Sequence, residues 1–333
     1  MKALIYTAPK KVEIGDIPEP QLRPATVKIK IDYCSLCATD VHIVMEGLNN
    51  LPTPWPLGHE GCGTIVELGE GAAELGWKLG DKVSVAPSSP CGNCEYCKRG
   101  QDIFCENLYN APMLTEYAVC NLNMIFRIPE GEDQMKYCLA EPCTCAMDGI
   151  DQADIKIGNT VAISGIGGIG SILLNMILLA GSTRVTVIEP VESKRKMALE
   201  MGAQYAINPF TEDIIKRSME ITDGRGFDRV FEASGVSKAA PPILEILANK
   251  GTAEYFAVYP MDYELPVNLY KLYKKEGRIQ TAFTTIYNFP RVMDLIPRLQ
   301  TDKIIGTVIP LDNAVEAFGL FLKSIYPKIV VKC

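Results

Sequence analysis

The sequence predicts an α/β protein with two domains, an irregular antiparallel β-barrel and a doubly wound parallel sheet. Residues 1–140 contain short β-like runs separated by glycine and proline, such as VKIKIDYCS and EGCGTIVELG. From about residue 144, strands alternate with helices, beginning with the strand TVAIS at 160–164. Such alternation predicts a parallel sheet with helices on both faces. The tail from residue 304 returns to strand, helix and strand, so we expect it to rejoin the first domain.

This change of pattern gives the domain boundaries. We assign residues 1–147 and 286–333 to the barrel domain and residues 148–285 to the parallel-sheet domain. A chain of 333 residues, 47% of them hydrophobic, is long enough to bury two cores.

The composition argues against several kinds of partner. The formal net charge is −7, and an acidic surface disfavours nucleic acid and anionic membranes. The longest apolar stretch, at residues 169–181, is too short to span a bilayer. The N-terminus becomes charged too early for a secretory signal peptide. We therefore expect a cytoplasmic protein in a reducing compartment.

Four closely spaced cysteines predict a structural metal site. They follow the pattern C-x2-C-x2-C-x7-C within a lobe at residues 88–106, at Cys91, Cys94, Cys97 and Cys105. Four thiolates form the tetrahedral cage that Zn²⁺ prefers, and a closed cage leaves no position for a substrate. The alternatives are disulfides, an iron–sulfur cluster or chance. Ligand type, spacing and a reducing compartment favour zinc.

A glycine-rich turn follows the strand TVAIS and predicts a dinucleotide site. Its pattern is G-x-G-G-x-G, formed by Gly165, Gly167, Gly168, Ile169 and Gly170. The first glycine permits the tight turn, the second lets the backbone approach a pyrophosphate, and the last lets helix and strand pack closely. The helix that begins here offers free N–H groups and the positive end of its dipole to the phosphates.

Three further residues are candidates for the rest of this site. Glu189 ends the next strand, nineteen residues after Gly170, where a carboxylate accepts hydrogen bonds from a ribose diol and repels a 2′-phosphate. It therefore favours NAD over NADP. Lys194 is placed to reach the same ribose, and Ala233, near the end of FDRVFEASG, to line the nicotinamide. The alternatives are an ordinary strand-end acid, a surface lysine and a buried strand without a ligand.

The chain has two histidines, and both stand in segments rich in polar and metal-binding side chains. These segments read C-x-T-D-x-H at 37–42 and G-H-E at 58–60, and an E-P pair follows at 141–142. With the four-cysteine lobe, the glycine turn and the F-E-A-S-G strand end, they resemble the zinc-dependent medium-chain dehydrogenase/reductase family, the alcohol and polyol dehydrogenases. The resemblance runs nearly end to end. It implies a GroES-like catalytic domain and a Rossmann domain, with the active site in the cleft between them.

The resemblance also implies a second, catalytic zinc. Cys37, His59 and Glu60 match the family's zinc ligands, and Glu141 matches a further acid that binds the metal directly or through its water. Which of the two acids holds the metal at rest stays open. Thiolate, imidazole and carboxylate suit Zn²⁺, and an open fourth position admits an alcohol oxygen to a Lewis acid. Asp40 is expected to orient His59.

The proton that the alcohol loses needs a path to water. Thr39 carries a hydroxyl at the spacing that the family uses for a relay, and His42 carries an imidazole that can hand a proton to water. We therefore predict that these two residues pass the proton outward. The alternative for His42 is a surface imidazole that contacts a cofactor phosphate.

We expect an enzyme that transfers a hydride between NAD and a secondary alcohol of a polyol, a sugar, a sugar phosphate or a related metabolite. The alternative within this class is a threonine-type or 2,3-diol dehydrogenase. The alternative of another class is a noncatalytic zinc scaffold that binds NAD. By family likeness, the chain is expected to form a homodimer or a homotetramer.

The substrate is the property that the sequence determines least. The segment between Cys105 and Tyr117 is shorter than in many members of the family, where it helps to wall the substrate pocket. Candidate pocket residues are Leu48, Trp55, Tyr109, Tyr117 and Tyr255, although aromatic side chains more often pack against other residues than contact a substrate. A basic cluster is either an anion site or a solvated face, and it comprises Lys271, Lys274, Lys275 and Arg278.

Overall fold

The computed structural model describes residues 1–182 and 184–333. The chain divides into two compact units, Met1–Thr144 together with Thr285–Cys333, and Cys145–Thr284. The predicted boundaries, after residues 147 and 285, lie a few residues beyond these. None of the described helices is long and apolar enough to cross a membrane.

The first unit is built mainly from antiparallel strands. Its strands are β1 (Lys2–Ala8), β2 (Lys11–Asp16), β3 (Thr26–Ser35), β4 (Trp55–Pro56), β5 (Glu60–Leu68), β6 (Lys82–Val85), β7 (Ser88–Ser89), β8 (Tyr109–Asn110), β9 (Tyr117–Asn121), β10 (Ile125–Arg127), β17 (Ile305–Pro310) and β18 (Lys328–Lys332). The central strand, β3, pairs antiparallel with β5, β9 and β18. At one edge β17 and β18 run parallel, and the tail is part of the first unit.

Short helices connect these strands. They are α1 (Ala38–Glu46), α2 (Glu95–Lys98), α9 (Phe289–Leu295), α10 (Thr301–Ile304) and α11 (Ala314–Leu322), and α3 (Ala140–Gln152) passes from the first unit into the second. Strand pairing brings distant parts of the chain to one place, because Ser35 lies opposite both Glu60 and Val330. Lys328, the first residue of β18, therefore lies near the end of β3.

The second unit is the predicted parallel sheet. Its strands are β11 (Thr160–Ser164), β12 (Arg184–Ile188), β13 (Tyr205–Ile207), β14 (Phe227–Glu232), β15 (Leu247–Tyr255) and β16 (Arg278–Gln280), and its helices are α4 (Gly168–Leu179), α5 (Glu192–Met201), α6 (Ile214–Ile221), α7 (Ala240–Glu245) and α8 (Leu269–Lys274). The strand order is β13-β12-β11-β14-β15-β16, and every pair is parallel. This is the order of a doubly wound dinucleotide fold, so the predicted α/β class is confirmed.

One predicted helix is too long. The pattern APPILEILANKG predicts a helix to about residue 251, but α7 ends at Glu245 and β15 begins at Leu247. The Nζ group of Lys275 donates to the carbonyls of Leu244, Glu245 and Leu247, which ends the helix by satisfying its last acceptors. Leu247 is then free to bury in the core of the unit.

Candidate active site

Three predicted metal ligands of the first unit lie together. The Sγ atom of Cys37, a ring nitrogen of His59 and a carboxylate oxygen of Glu60 are all within 4.8 Å of one another. The pairing of β3 with β5 explains this, because Ser35 faces Glu60 and Cys37 follows Ser35 by two residues. Thiolate, imidazole and carboxylate are the donor types that Zn²⁺ accepts. The group therefore fits the predicted catalytic metal.

Asp40 holds two of these ligands in place. It is buried at the third position of α1, where Oδ2 accepts a hydrogen bond from the backbone N–H of Cys37 at 3.1 Å. Its Oδ1 accepts from the backbone N–H of Gly58 at 3.2 Å and lies 3.5 Å from Nδ1 of His59. Burial opposes ionisation, but His59 and these N–H groups lower the pKa of Asp40 below its ordinary value. The structure thus brings Asp40 to the place at which it was predicted to orient His59.

Sequence reasoning missed Lys328. Its Nζ group donates to both carboxylate oxygens of Glu60, at 2.5 and 2.6 Å, and to the carbonyl of Leu36 at 3.2 Å. The Ser35 hydroxyl donates to the same carboxylate. Burial opposes the charge on Lys328, but Glu60 and Cys37 outweigh it and raise the pKa of the lysine. A lysine directly before the apolar run IVV of the strand KIVVK was the available signal.

Glu141 stands apart from the ligand group within the part of the chain that the structure describes. It lies in the first turn of α3 and is buried, and its backbone carbonyl accepts from the Thr144 hydroxyl at 2.7 Å. Its charge contributes to the raised pKa of Lys328. The acid therefore favours the charged form of the same lysine that Glu60 contacts.

The two predicted relay residues both lie on α1. The Thr39 hydroxyl oxygen is 3.5 Å from the Cys37 sulfur, so it borders the ligand group. The Nδ1 atom of His42 lies 3.1 Å from Oε2 of Glu46, one helical turn further on. Glu46 is a partner that the sequence pattern did not reveal.

The four cysteines of the lobe form the second group of potential ligands in the described residues. Their sulfur atoms also lie within 4.8 Å of one another. Backbone N–H groups of Asn93 and Cys94 donate to the sulfur of Cys91 at 3.4 Å, and those of Cys91 and Asn107 donate to the sulfur of Cys105. The N–H groups of Asn93 and Cys94 lower the pKa of Cys91 to about 6, which favours the thiolate that a metal needs. The lobe thus fits a structural zinc.

The glycine turn of the second unit has the predicted shape. Gly165 has φ +91°, Gly167 is the N-cap of α4, and Gly168, Ile169 and Gly170 form its first turn. A Cβ atom on Gly170 would lie 2.0 Å from the carbonyl oxygen of Gly165, whereas one on Gly167 would meet nothing within 4 Å. The turn is therefore tight inside and open where a pyrophosphate would bind.

The remaining dinucleotide candidates surround this turn. The carboxylate of Glu189 is buried and accepts hydrogen bonds from the backbone N–H groups of Ile166 and Val191, at 2.8 and 2.9 Å. The N–H group of Ala233 donates to the carbonyl of Ser164 at 2.8 Å, and Lys194 is buried on α5. The carboxyl ends of parallel strands meet at one edge of the sheet, so Glu189 and Ala233 flank the turn.

Known proteins match both units. Residues 23–130 match the alcohol dehydrogenase GroES-like domain, and residues 168–298 match the zinc-binding dehydrogenase domain. The L-threonine 3-dehydrogenase of Pyrococcus furiosus is 33% identical over 283 residues, which cover 82% of this chain and 80% of the relative. The chain belongs to the zinc-dependent medium-chain dehydrogenase family.

Other members of the family agree in sequence and in structure. The sorbitol dehydrogenase of Halalkalibacterium halodurans is 33% identical over 285 residues, 83% of this chain and 82% of the relative. The crystal structure of a candidate zinc-binding dehydrogenase of Clostridium scindens superposes with a TM-score of 0.95 at 36% identity, covering 100% of this chain and 99% of that one. The first unit is thus the GroES-like domain, and the second is the Rossmann domain.

Membership of this dehydrogenase family gives zinc and a nicotinamide dinucleotide as the cofactors. A related candidate zinc-binding dehydrogenase of Sinorhizobium meliloti, 26% identical with a TM-score of 0.92 and covering 100% of this chain and 99% of that one, was solved with NADP bound.

The candidate pocket residues and the basic cluster make contacts within the chain. The hydroxyls of Tyr109 and Tyr255 donate to the carbonyls of Val119 and Ala240. Trp55 pairs with Tyr6 across β4 and β1, Tyr117 with Lys30 across β9 and β3, and Leu48 lies in the turn at Leu48–Asn50.

In the basic cluster, Lys275 caps α7 and Lys271 pairs with Glu245 at 2.8 Å. Contacts within the chain therefore account for Lys271 and Lys275 without an anion.

Proposed function

We propose that this dehydrogenase transfers a hydride between NAD and a secondary alcohol of a polyol, a sugar or a related hydroxylated metabolite. The observation that carries the proposal is the ligand group of Cys37, His59 and Glu60 in the first unit. The glycine turn and Glu189 of the second unit support the cofactor. The identity to a sorbitol dehydrogenase supports a polyol as the substrate class.

Cys37, His59 and an acid would hold the catalytic metal. When bound there, zinc supplies Lewis acidity that lowers the pKa of an alcohol. Glu60 is the acid that lies within the ligand group, and Lys328 donates to both of its carboxylate oxygens. Glu141 would be the alternative acid. Zinc content of Glu60→Gln and Glu141→Gln proteins, measured side by side, tests this assignment.

Thr39 and His42 would carry the substrate proton toward water. The Thr39 hydroxyl borders the Cys37 sulfur, and His42 is one turn further along the same helix. The Nδ1 atom of His42 lies 3.1 Å from Oε2 of Glu46, so a carboxylate borders the proposed path.

Glu189 would favour NAD over NADP, because a buried carboxylate at the ribose end of the site repels a 2′-phosphate. Titration with NADH and NADPH tests this preference, and equal affinities would contradict it. We further propose a cytoplasmic homodimer or homotetramer, which light scattering of the purified protein distinguishes.

A second candidate is a threonine-type or 2,3-diol dehydrogenase, favoured by the 33% identity to an L-threonine 3-dehydrogenase. The deciding experiment is a screen of NAD reduction with sorbitol, xylitol, sugar phosphates, L-threonine and 2,3-butanediol. Turnover of a polyol or sugar supports the first proposal, and turnover of L-threonine or the diol alone supports the second. A protein that binds NADH and one zinc per chain but oxidises none of these would be the noncatalytic scaffold.

A further inference from the structure

A single buried carboxylate fixes the segment that follows β14. Glu232, the last residue of this strand, is fully buried. Its Oε1 accepts hydrogen bonds from the hydroxyl and the backbone N–H of Ser234, the latter at 3.1 Å, and from the Ser164 hydroxyl at 3.3 Å. Its Oε2 accepts from the backbone N–H of Gly235 at 3.2 Å. The carboxylate therefore joins the ends of the two central strands, β11 and β14.

Residues 234–235 pack closely against the first glycine of the glycine turn. A Cβ atom on Gly165 would lie 2.9 Å from the N, Cα and Cβ atoms of Ser234. On the other side, a Cβ atom on Gly235 would lie 2.8 Å from the carbonyl oxygen of Val258. A shift of residues 234–235 toward the turn would therefore displace its first glycine.

Tyr259 supplies the remaining hydrogen bond to this carboxylate. Its hydroxyl donates to Oε2 of Glu232. Burial and the Glu232 carboxylate raise the pKa of Tyr259, so the hydroxyl keeps its proton and stays a donor. The ring stacks on Tyr263 with centroids 5.3 Å apart, which fixes the direction of the hydroxyl. Tyr263 itself donates elsewhere, to the carbonyl of Ser237 at 3.0 Å.

We propose that Tyr259 is a positioning residue for the dinucleotide. Through Glu232 it holds Ser234 and Gly235 against the glycine turn, so that the nicotinamide half of the cofactor meets a preformed surface. Without its hydroxyl, the N–H of Gly235 is the remaining donor to Oε2 within the described residues. The inference rests on the proposed dinucleotide site and extends it to a residue that acts through Glu232.

The test compares Tyr259→Phe with Tyr263→Phe. For Tyr259→Phe we expect the Kd for NADH, measured by fluorescence titration, to rise about tenfold, because binding must then order the segment. Amide hydrogen exchange of residues 234–236 should accelerate in the cofactor-free protein. With the active substrate, KM for NAD should rise while kcat at saturating NAD changes less than about twofold. Tyr263→Phe removes the hydroxyl of a half-buried tyrosine but no donor to Glu232, so its Kd and exchange should stay at the wild-type values.

The possible failures are distinct. If the wild-type protein binds neither NADH nor NADPH, the proposed dinucleotide site is wrong. If the wild-type protein binds and Tyr259→Phe matches it in Kd and exchange, the positioning role is overturned. Should Tyr259→Phe fail to fold, Glu232→Gln keeps the shape of the side chain but weakens the acceptor. The same loss of affinity is expected for it, and wild-type affinity would overturn the inference.

Discussion

Lys328, at the start of the last strand, donates to both carboxylate oxygens of Glu60, a predicted ligand of the catalytic metal. Both side chains are buried, and the Ser35 hydroxyl completes the contacts of Glu60. In an ion pair of this kind, the attraction between the two charges offsets the free energy that burying each of them costs. The C-terminal strand thereby compensates the charge of a side chain in the metal site.

Replacing Lys328 with methionine should lower the free energy of unfolding by about 3–5 kcal/mol, because Glu60 is left as an uncompensated buried charge. Urea denaturation measures this. The control, Lys332→Met, lies at the exposed end of the same strand and should change stability little. The double variant Lys328→Met with Glu60→Gln should recover part of the loss. Equal stabilities of Lys328→Met and the wild type would contradict the role of the pair.

Loss of the lobe metal should affect stability more than chemistry. Cys97→Ser removes one of four thiolates from the closed cage, and we expect it to lower the free energy of unfolding by more than about 4 kcal/mol. Thermal unfolding with and without a chelator measures the effect. The matched comparison is Cys37→Ser, which leaves the lobe intact. A chelator that shifts the unfolding of Cys97→Ser as much as that of the wild type would argue against a structural metal in the lobe.

Glu254 gives the fold a pH dependence. It is fully buried in β15, and neither carboxylate oxygen has a hydrogen-bond partner among the described residues. Burial, with a smaller contribution from Asp148, raises the pKa of Glu254 from 4.5 to about 8. The folded chain therefore keeps a proton that the unfolded chain loses. This contribution to stability is complete below pH 4.5 and is lost as the pH rises toward 8.

Glu254→Gln should remove this part of the pH dependence and stabilise the protein at pH 8 by about 4 kcal/mol. Urea denaturation at several pH values between 5 and 8 measures the slope for both proteins. The exposed Glu276→Gln serves as the control and should keep the wild-type slope. Identical slopes for the wild type and Glu254→Gln would show that Glu254 is ionised in the fold.

The proton relay predicts a graded series of rates. His42→Ala should lower kcat about 100-fold, since general acid–base groups contribute on that scale. Cys37→Ser should abolish turnover, because it removes a proposed metal ligand. Glu46→Gln should have a smaller effect than His42→Ala, because it changes only the contact to Nδ1. Steady-state rates at saturating NAD measure the series. A wild-type kcat for His42→Ala would show that His42 is not part of the relay.

Much of the fold follows from local sequence. The strands TVAIS and RVTVI fall at Thr160–Ser164 and Arg184–Ile188, because apolar β-branched runs bounded by turns suit a buried parallel sheet. The four cysteines and the glycine turn are equally local, since each site is built from residues close together in the chain. A short-range pattern of this kind indicates both the secondary structure of its residues and the ligand that they suit.

Long-range contacts could not be predicted in the same way. Lys328 meets Glu60 across 268 residues, through strand pairings that no local pattern specifies. Tyr259 reaches Glu232 only because the chain turns back after β15. The end of α7 likewise depends on Lys275, which is thirty residues away from the carbonyl of Glu245. In each case a polar side chain found its partner through tertiary structure.

The central claim is that Cys37, His59 and Glu60 hold a metal distinct from the one in the cysteine lobe. Metal analysis of purified wild-type and Cys37→Ser proteins tests it most directly. We predict about two zinc ions per chain in the wild type and about one in Cys37→Ser, with NADH affinity unchanged. One zinc ion per chain in both proteins would contradict the claim.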